Sequence, residues 1–147
     1  MGKDSLTAGR NVIGWFEMPI RRLDDAMQFY PYVFNFVIAP HIIGGKEYGI
    51  ITGIEPYPNE CYGALVVYPE PQPMPCSAVH FFRTKDCSEF FAIQNRVLEK
   101  GGYILMSPTP FHPLIGTYSI CEDNQGTKFA IHSSVPIYPC IPPIESE

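Results

Sequence analysis

The chain has 147 residues and a net charge of −5, with 14% aromatic and 17% charged residues. That length suits one compact domain that buries roughly two-thirds of its unfolded surface. Without a Lys/Arg cluster, the negative balance argues against nucleic acid or an anionic membrane as partner. No apolar run approaches the length of a bilayer span.

Residues 1–10 read as a polar tail without the apolar core of a signal peptide, which suggests a cytoplasmic protein. Val12–Ile20 is apolar at strand length. It passes through charged residues into a helical pattern whose expected buried stripe is Leu23, Ala26, Met27, Tyr30, Val33 and Phe34. Asp24 and Asp25 suit its first turn. Pro31 should kink this helix or end it near Tyr30, because an interior proline removes one hydrogen bond and clashes with the preceding turn. Short strands are expected at Phe36–Ala39, Tyr48–Ile54 and Gly63–Tyr68, separated by Gly- and Pro-bearing turns. Pro69–Pro75 then forms a stiff, extended linker.

The second half repeats this order. Ala78–Thr84 is a strand, and the helix after it places Cys87, Phe90, Phe91, Gln94, Val97 and Leu98 on one face. These six positions each lie 64 residues after their counterparts in the first helix, so a strand–helix unit is duplicated. Asp86 is the N-cap with Glu89 three residues on, and Gly101-Gly102 supplies the C-terminal stop. Strands follow at Tyr103–Met106, Thr117–Glu122 and Lys128–Ser133, the last two joined by a turn at residues 123–126. The proline-rich tail at 135–147 should lie extended over the surface. Cys61, Cys76, Cys87, Cys121 and Cys140 are odd in number and contain no C-x-x-C pair, so they read as reduced thiols.

The result is an α+β fold of two tandem βαβββ modules, 11–68 and 76–134, curled around a shared cleft. WFEMPI and LDDAMQFYPYVFNF in the first half, with LEKGGYILMSPTP and GTYSICEDNQGTKFAIHS in the second, resemble the vicinal oxygen chelate superfamily. This is the group of glyoxalases, bleomycin-resistance proteins and extradiol dioxygenases. The resemblance covers residues 11–134 and implies a divalent metal held by His, Gln or Glu at four strand positions. Counted along the motifs, those positions fall on Trp15, Val66, Val79 and Ala130, none of which offers a lone pair to a metal. No metal and no cofactor is therefore expected.

Two residues along each strand keeps the same face, which adds Glu17, Tyr68, Phe81 and His132. Together these eight residues make a mostly apolar bowl suited to a small organic molecule with an aromatic or aliphatic body. Phe16, Met18, His80 and Phe82 should face the helices instead, with His80 a packed core histidine. His41 and His112 fall in loops, where they would be metal ligands only if a loop folded over the cleft. Tyr118 and Glu122 share one face of the penultimate strand and Cys121 the other, with the face itself undetermined. Glu17 reads equally well as a surface residue paired with Arg83. Two functions fit. One is a metal-free binding protein. The other is a lyase, isomerase or dioxygenase-type enzyme, which would use Glu17 and His132 as an acid–base pair or an unrecognised metal site. The resemblance also implies a two-fold homodimer, with Ile137, Tyr138 and Ile141 of the tail as apolar contact surface.

Overall fold

The computed structural model describes residues 15–54, 62–75, 79–113, 116–134 and 137. Its elements in chain order are β1 (Phe16–Ile20), α1 (Leu23–Phe34), β2 (Phe36–Ile43), β3 (Lys46–Ile54), β4 (Gly63–Val67), β5 (His80–Arg83), α2 (Cys87–Glu99), β6 (Tyr103–His112), β7 (Gly116–Glu122) and β8 (Lys128–Ser133). They form two four-stranded sheets, ordered β1-β4-β3-β2 and β5-β8-β7-β6. The strand order is the same in both halves. In each, the first strand runs parallel to the last and the other pairings are antiparallel. The duplication expected from the sequence is therefore the architecture. Val12–Gly14 and Ala78, the expected starts of the first strands, lie outside the described residues.

Both helices and both sheets share one core. Alternation along the strands decides which residues enter it. Met18, Ile20, Leu65, Val67, Phe129 and Ile131 belong to the buried cluster, and Phe16 and Phe82 pack against it. The His80 ring lies 5.0 Å from that of Phe16. The expected helix-facing set is thus confirmed. Burial lowers the His80 pKa below its ordinary value.

Helix α1 does not end at Tyr30. It runs through Pro31 to Phe34 and closes on Asn35, whose φ of 62° is left-handed and whose amide donates to the Pro31 carbonyl at 2.9 Å. Pro31 stands in the last turn, where the missing amide deprives only one carbonyl. The buried residues are Ala26, Phe29, Tyr30, Val33 and Phe34. Phe29 was not in the expected stripe, and it crosses into the second module, with its ring 6.0 Å from that of Phe129. Helix α2 starts as expected, with Asp86 Oδ1 accepting from the Glu89 amide at 2.8 Å. It buries Phe90, Ile93 and Val97, while Leu98 is exposed. Gly101 takes a φ of 86° after it. Gly102 has no room for a side chain: a Cβ there would stand 2.5 Å from the Glu122 carbonyl oxygen and 3.0 Å from the Phe29 ring.

The modules are joined by polar bonds as well as rings. Tyr30 donates from its hydroxyl to Asp123 Oδ2 at 2.7 Å. Asp123 Oδ1 accepts from the amides of Gln125 and Thr127 at 2.8 and 2.9 Å, which builds the β7–β8 turn. Burial pushes both pKa values up, and for Asp123 the three hydrogen bonds oppose the rise.

Two expectations fail here. Cys87 is disulfide-bonded, to a cysteine outside the described residues, so the five thiols are not all reduced; Cys121 is free and buried, its pKa pushed up to about 11 by that burial. Spacing alone does not reveal which cysteines pair. Ile137 is buried in the chain's own core and is not open tail surface; Tyr138 and Ile141 lie outside the described residues. No described helix is long and apolar enough to cross a membrane.

Candidate functional site

With Phe16, Met18, Ile20, Leu65, Val67, Phe82, Phe129 and Ile131 turned to the core, Glu17, Pro19, Ala64, Val66, Phe81, Ala130 and His132 point to the side of the sheets away from the helices. Cross-strand register then decides which of them are neighbours. Glu17 pairs with Ala64 and Pro19 with Val66. Phe81 pairs with Ala130 and Arg83 with His132. Trp15 precedes β1 by one residue, so it stands four positions from the partner of Val66 and is not beside it. Val79 stands two positions from the partner of Ala130.

The duplication also changes offset between strands. Arg83 lies 64 residues after Pro19, but its partner His132 lies 66 after Val66 (132 − 66). The counterpart of Val66 is therefore His132 and that of Ala130 is Ala64. A constant offset of 64 does not extend to the last strands.

Val66 and Ala130 are buried and offer a ligand almost no surface, while Tyr68 and His132 are partly covered. The open part is Trp15, Glu17, Val79 and Phe81, with Trp15 44% and Phe81 48% exposed. The Trp15 indole N–H donates to Glu17 Oε2 at 3.1 Å. Among the described residues Glu17 forms no ion pair, so Arg83 is not its partner. Tyr68 carries Lys46 Nζ over its ring at 3.8 Å.

Two rings complete this face. Tyr118 lies edge-on to Phe81 at 5.0 Å, and Phe111, 58% exposed, lies edge-on to Tyr118 at 5.3 Å. His132 stands 6.4 Å from Phe81. An aromatic strip thus crosses the second sheet from β5 to β6. Tyr118 needed only the parity of β7, which its contact with Phe81 supplies. Phe111 lies beyond the expected strand, which stops at Met106 ahead of Pro108 and Pro110. As the sheet's edge strand, β6 tolerates them and runs on to His112.

The model of the Glyoxalase/Bleomycin resistance protein/Dioxygenase superfamily matches residues 12–131. The chain belongs to that superfamily. Solved structures of similar fold include a glyoxylase/bleomycin resistance protein/dioxygenase domain from Frankia sp. EAN1pec, with a TM-score of 0.67 at 8% identity over 84% of this chain and 98% of that one. A glyoxalase/bleomycin resistance protein/dioxygenase family enzyme from Burkholderia phytofirmans PsJN gives 0.62 at 11% identity, with 84% and 98% covered. Glyoxalase I from Zea mays gives 0.61 at 14% identity; 82% of this chain is covered, against 45% of the maize protein. No curated protein matches in sequence. At such identities the likeness is one of fold.

Superfamily membership raises the question of a metal. Trp15, Val66, Val79 and Ala130 carry no donor atom for one, apart from an indole nitrogen that keeps its proton, and neither does Ala64, the counterpart of Ala130; His132, the counterpart of Val66, offers a single imidazole. Among the described residues, no three His, Cys, Asp or Glu side chains are grouped to hold an ion. The donor set does not fit a divalent metal.

Proposed function

We propose that this superfamily member binds a small organic molecule on its helix-free face without a metal ion, as a sequestering protein and not as a chelate enzyme. The observation that carries this reading is the exposed rings of Trp15, Phe81 and Phe111, with half-buried Tyr118 between the last two, on a face whose counted chelating positions Trp15, Val66, Val79 and Ala130 hold no donors. Half-exposed rings mounted on strands lose little freedom when a flat ligand covers them, and each brings apolar area worth about 25 cal/mol per Å² when buried. The Glu17 carboxylate, bonded to the indole and free of any described cation, suits a basic group on the same ligand. That bond engages one oxygen of Glu17 with Trp15.

Trp15 is the sole tryptophan, so its fluorescence reports binding directly. A screen of aromatic amines against chelator-treated protein should yield dissociation constants on the order of tens of micromolar. Added zinc, nickel, iron or manganese should leave them unchanged. A hit that tightens tenfold or more on metal addition, or about one metal per chain in elemental analysis, would overturn the metal-free reading.

We also propose a two-fold dimer. Its support is the exposed apolar pair Tyr103 and Leu105 on β6, which takes the place of Ile137 as candidate contact. Analytical ultracentrifugation at micromolar concentration should show twice the chain mass; a monomer there removes the proposal.

A further inference from the structure

The helix-free face ends, where β1 runs out, in a corner that neither module builds alone. Pro19 of β1, Met74 and Pro75 of the linker, Val79 and the stretch Gly126–Lys128 line a cavity of about 230 Å³. Its walls are fastened to one another by a continuous set of hydrogen bonds. Arg21 Nη1 donates to the carbonyls of Tyr68 and Gln72 at 2.7 and 2.6 Å, which ties the linker down. Gln125 Oε1 accepts from the amides of Arg21 and Arg22 at 2.9 and 2.6 Å, and its Nε2 donates to the Arg22 carbonyl at 2.8 Å. The Thr127 hydroxyl, buried, donates to the Pro19 carbonyl at 2.9 Å. Strand end, linker and turn are thereby held in place before any ligand arrives, which lowers the ordering cost of binding.

The chemistry of the lining is uneven. Among the described residues, two prolines, a thioether and a valine are apolar, and one full charge stands among them, Lys128 Nζ. Its carboxylate neighbour Glu122 is 4.0 Å away, and the lysine side chain is 57% exposed, so that pair is loose. An apolar cavity of about 150 Å³ holds a benzene ring. The larger volume here takes such a ring with a carboxylate attached.

We infer that this corner is a binding site for a small organic carboxylate, with a body about one ring in size between Pro19, Met74, Pro75 and Val79 and its charge on Lys128. The site goes beyond the aromatic strip. It takes an anion where the strip suits a cation, and it does not depend on Trp15 or Phe81.

The test is an amide NMR titration of the full chain with benzoate, and with benzyl alcohol as its uncharged analogue. Benzoate should move the amides of Val79, Gly126, Thr127 and Lys128, with a dissociation constant on the order of millimolar. Lys128→Met should weaken benzoate roughly three- to fivefold, the scale of an exposed ion pair, and leave benzyl alcohol unchanged. Val79→Phe should fill the cavity and weaken both. Arg21→Met, which frees the linker, should weaken both while the Trp15 indole signal stays in place. Benzoate shifts centred on the Trp15 indole, or an unchanged benzoate affinity in Lys128→Met, would overturn the assignment. So would no shift at tens of millimolar.

Discussion

The two helices hold equivalent places in the duplication and serve different ends. Tyr30 and Gln94 stand 64 residues apart at the same point of α1 and α2. Tyr30 reaches across to Asp123 of the second module, whereas Gln94 donates to Ser119 Oγ at 3.1 Å within its own. Phe34 and Leu98 diverge further. Phe34 is 9% exposed and its ring lies within 4.7–6.2 Å of those of Tyr30, Phe36, Phe82 and Phe129. Leu98 is 55% exposed. At these two positions α1 reaches into the second module while α2 does not reach back; α2 meets the first module elsewhere, through Arg96, which donates to the Val33 carbonyl at 3.0 Å, and Glu99, which accepts from the Tyr32 hydroxyl at 2.6 Å. The sheets differ on their open faces too, with the aromatic strip on the second and Glu17 and the Lys46–Tyr68 pair on the first.

The largest contrast to test is therefore between equivalent helix positions. Phe34→Ala should cost about 3–5 kcal/mol in urea unfolding, and Leu98→Ala less than about 0.5 kcal/mol. Equal losses would break the comparison. Next comes Cys87, at the first position of α2, whose counterpart Leu23 has no sulfur to tether it. Reduction of its disulfide should cost about 2–4 kcal/mol, and non-reducing peptide mapping should recover Cys87 in a cross-linked peptide. Tyr30→Phe removes a donor from buried Asp123 and should cost about 1–3 kcal/mol. Gln94→Leu, acting inside one module, should cost less than Tyr30→Phe.

The smallest expected effect concerns Phe16 and His80, counterparts whose rings meet at the joint between β1 and β5. Burial lowers the folded-state pKa of His80 below the ordinary 6.5. The unfolded chain then binds the proton more readily. The stability associated with neutral His80 is complete above that value and lost as pH falls through the folded pKa. Unfolding followed from pH 7.5 to 5.5 should show the decline, and His80→Phe, which makes the two counterparts alike, should flatten it. A variant with the parent's slope would assign the decline to other groups.

The fold was legible because its signals are periodic: alternating strands, helical spacing, and the Asp86 and Gly101 boundaries around α2. The register of the last strands was not. β4 and β8 both alternate with period two, so a slip of two residues returns every side chain to its own face and leaves no trace in the pattern. That slip separates Val66 from Ala130 as counterparts. Ile93 and Phe29 were lost for a related reason, since helical spacing shows a stripe but not how wide the partner surface makes it. Phe111 lies beyond the expected strand end at Met106, after Pro108 and Pro110, whose effect on a strand depends on whether it lies at a sheet edge. The helix-free face itself followed from parity, which brought Glu17 and Phe81 to the same side correctly.

Trp15 lies at the rim of that face and is half exposed, so its removal leaves no buried cavity. The decisive measurement is calorimetric titration of a fluorescence-screen hit against the parent, Trp15→Ala and Phe81→Ala, each checked for an unchanged unfolding midpoint. Binding on the helix-free face predicts at least a tenfold loss in both variants. Affinities equal to the parent's in both would contradict it.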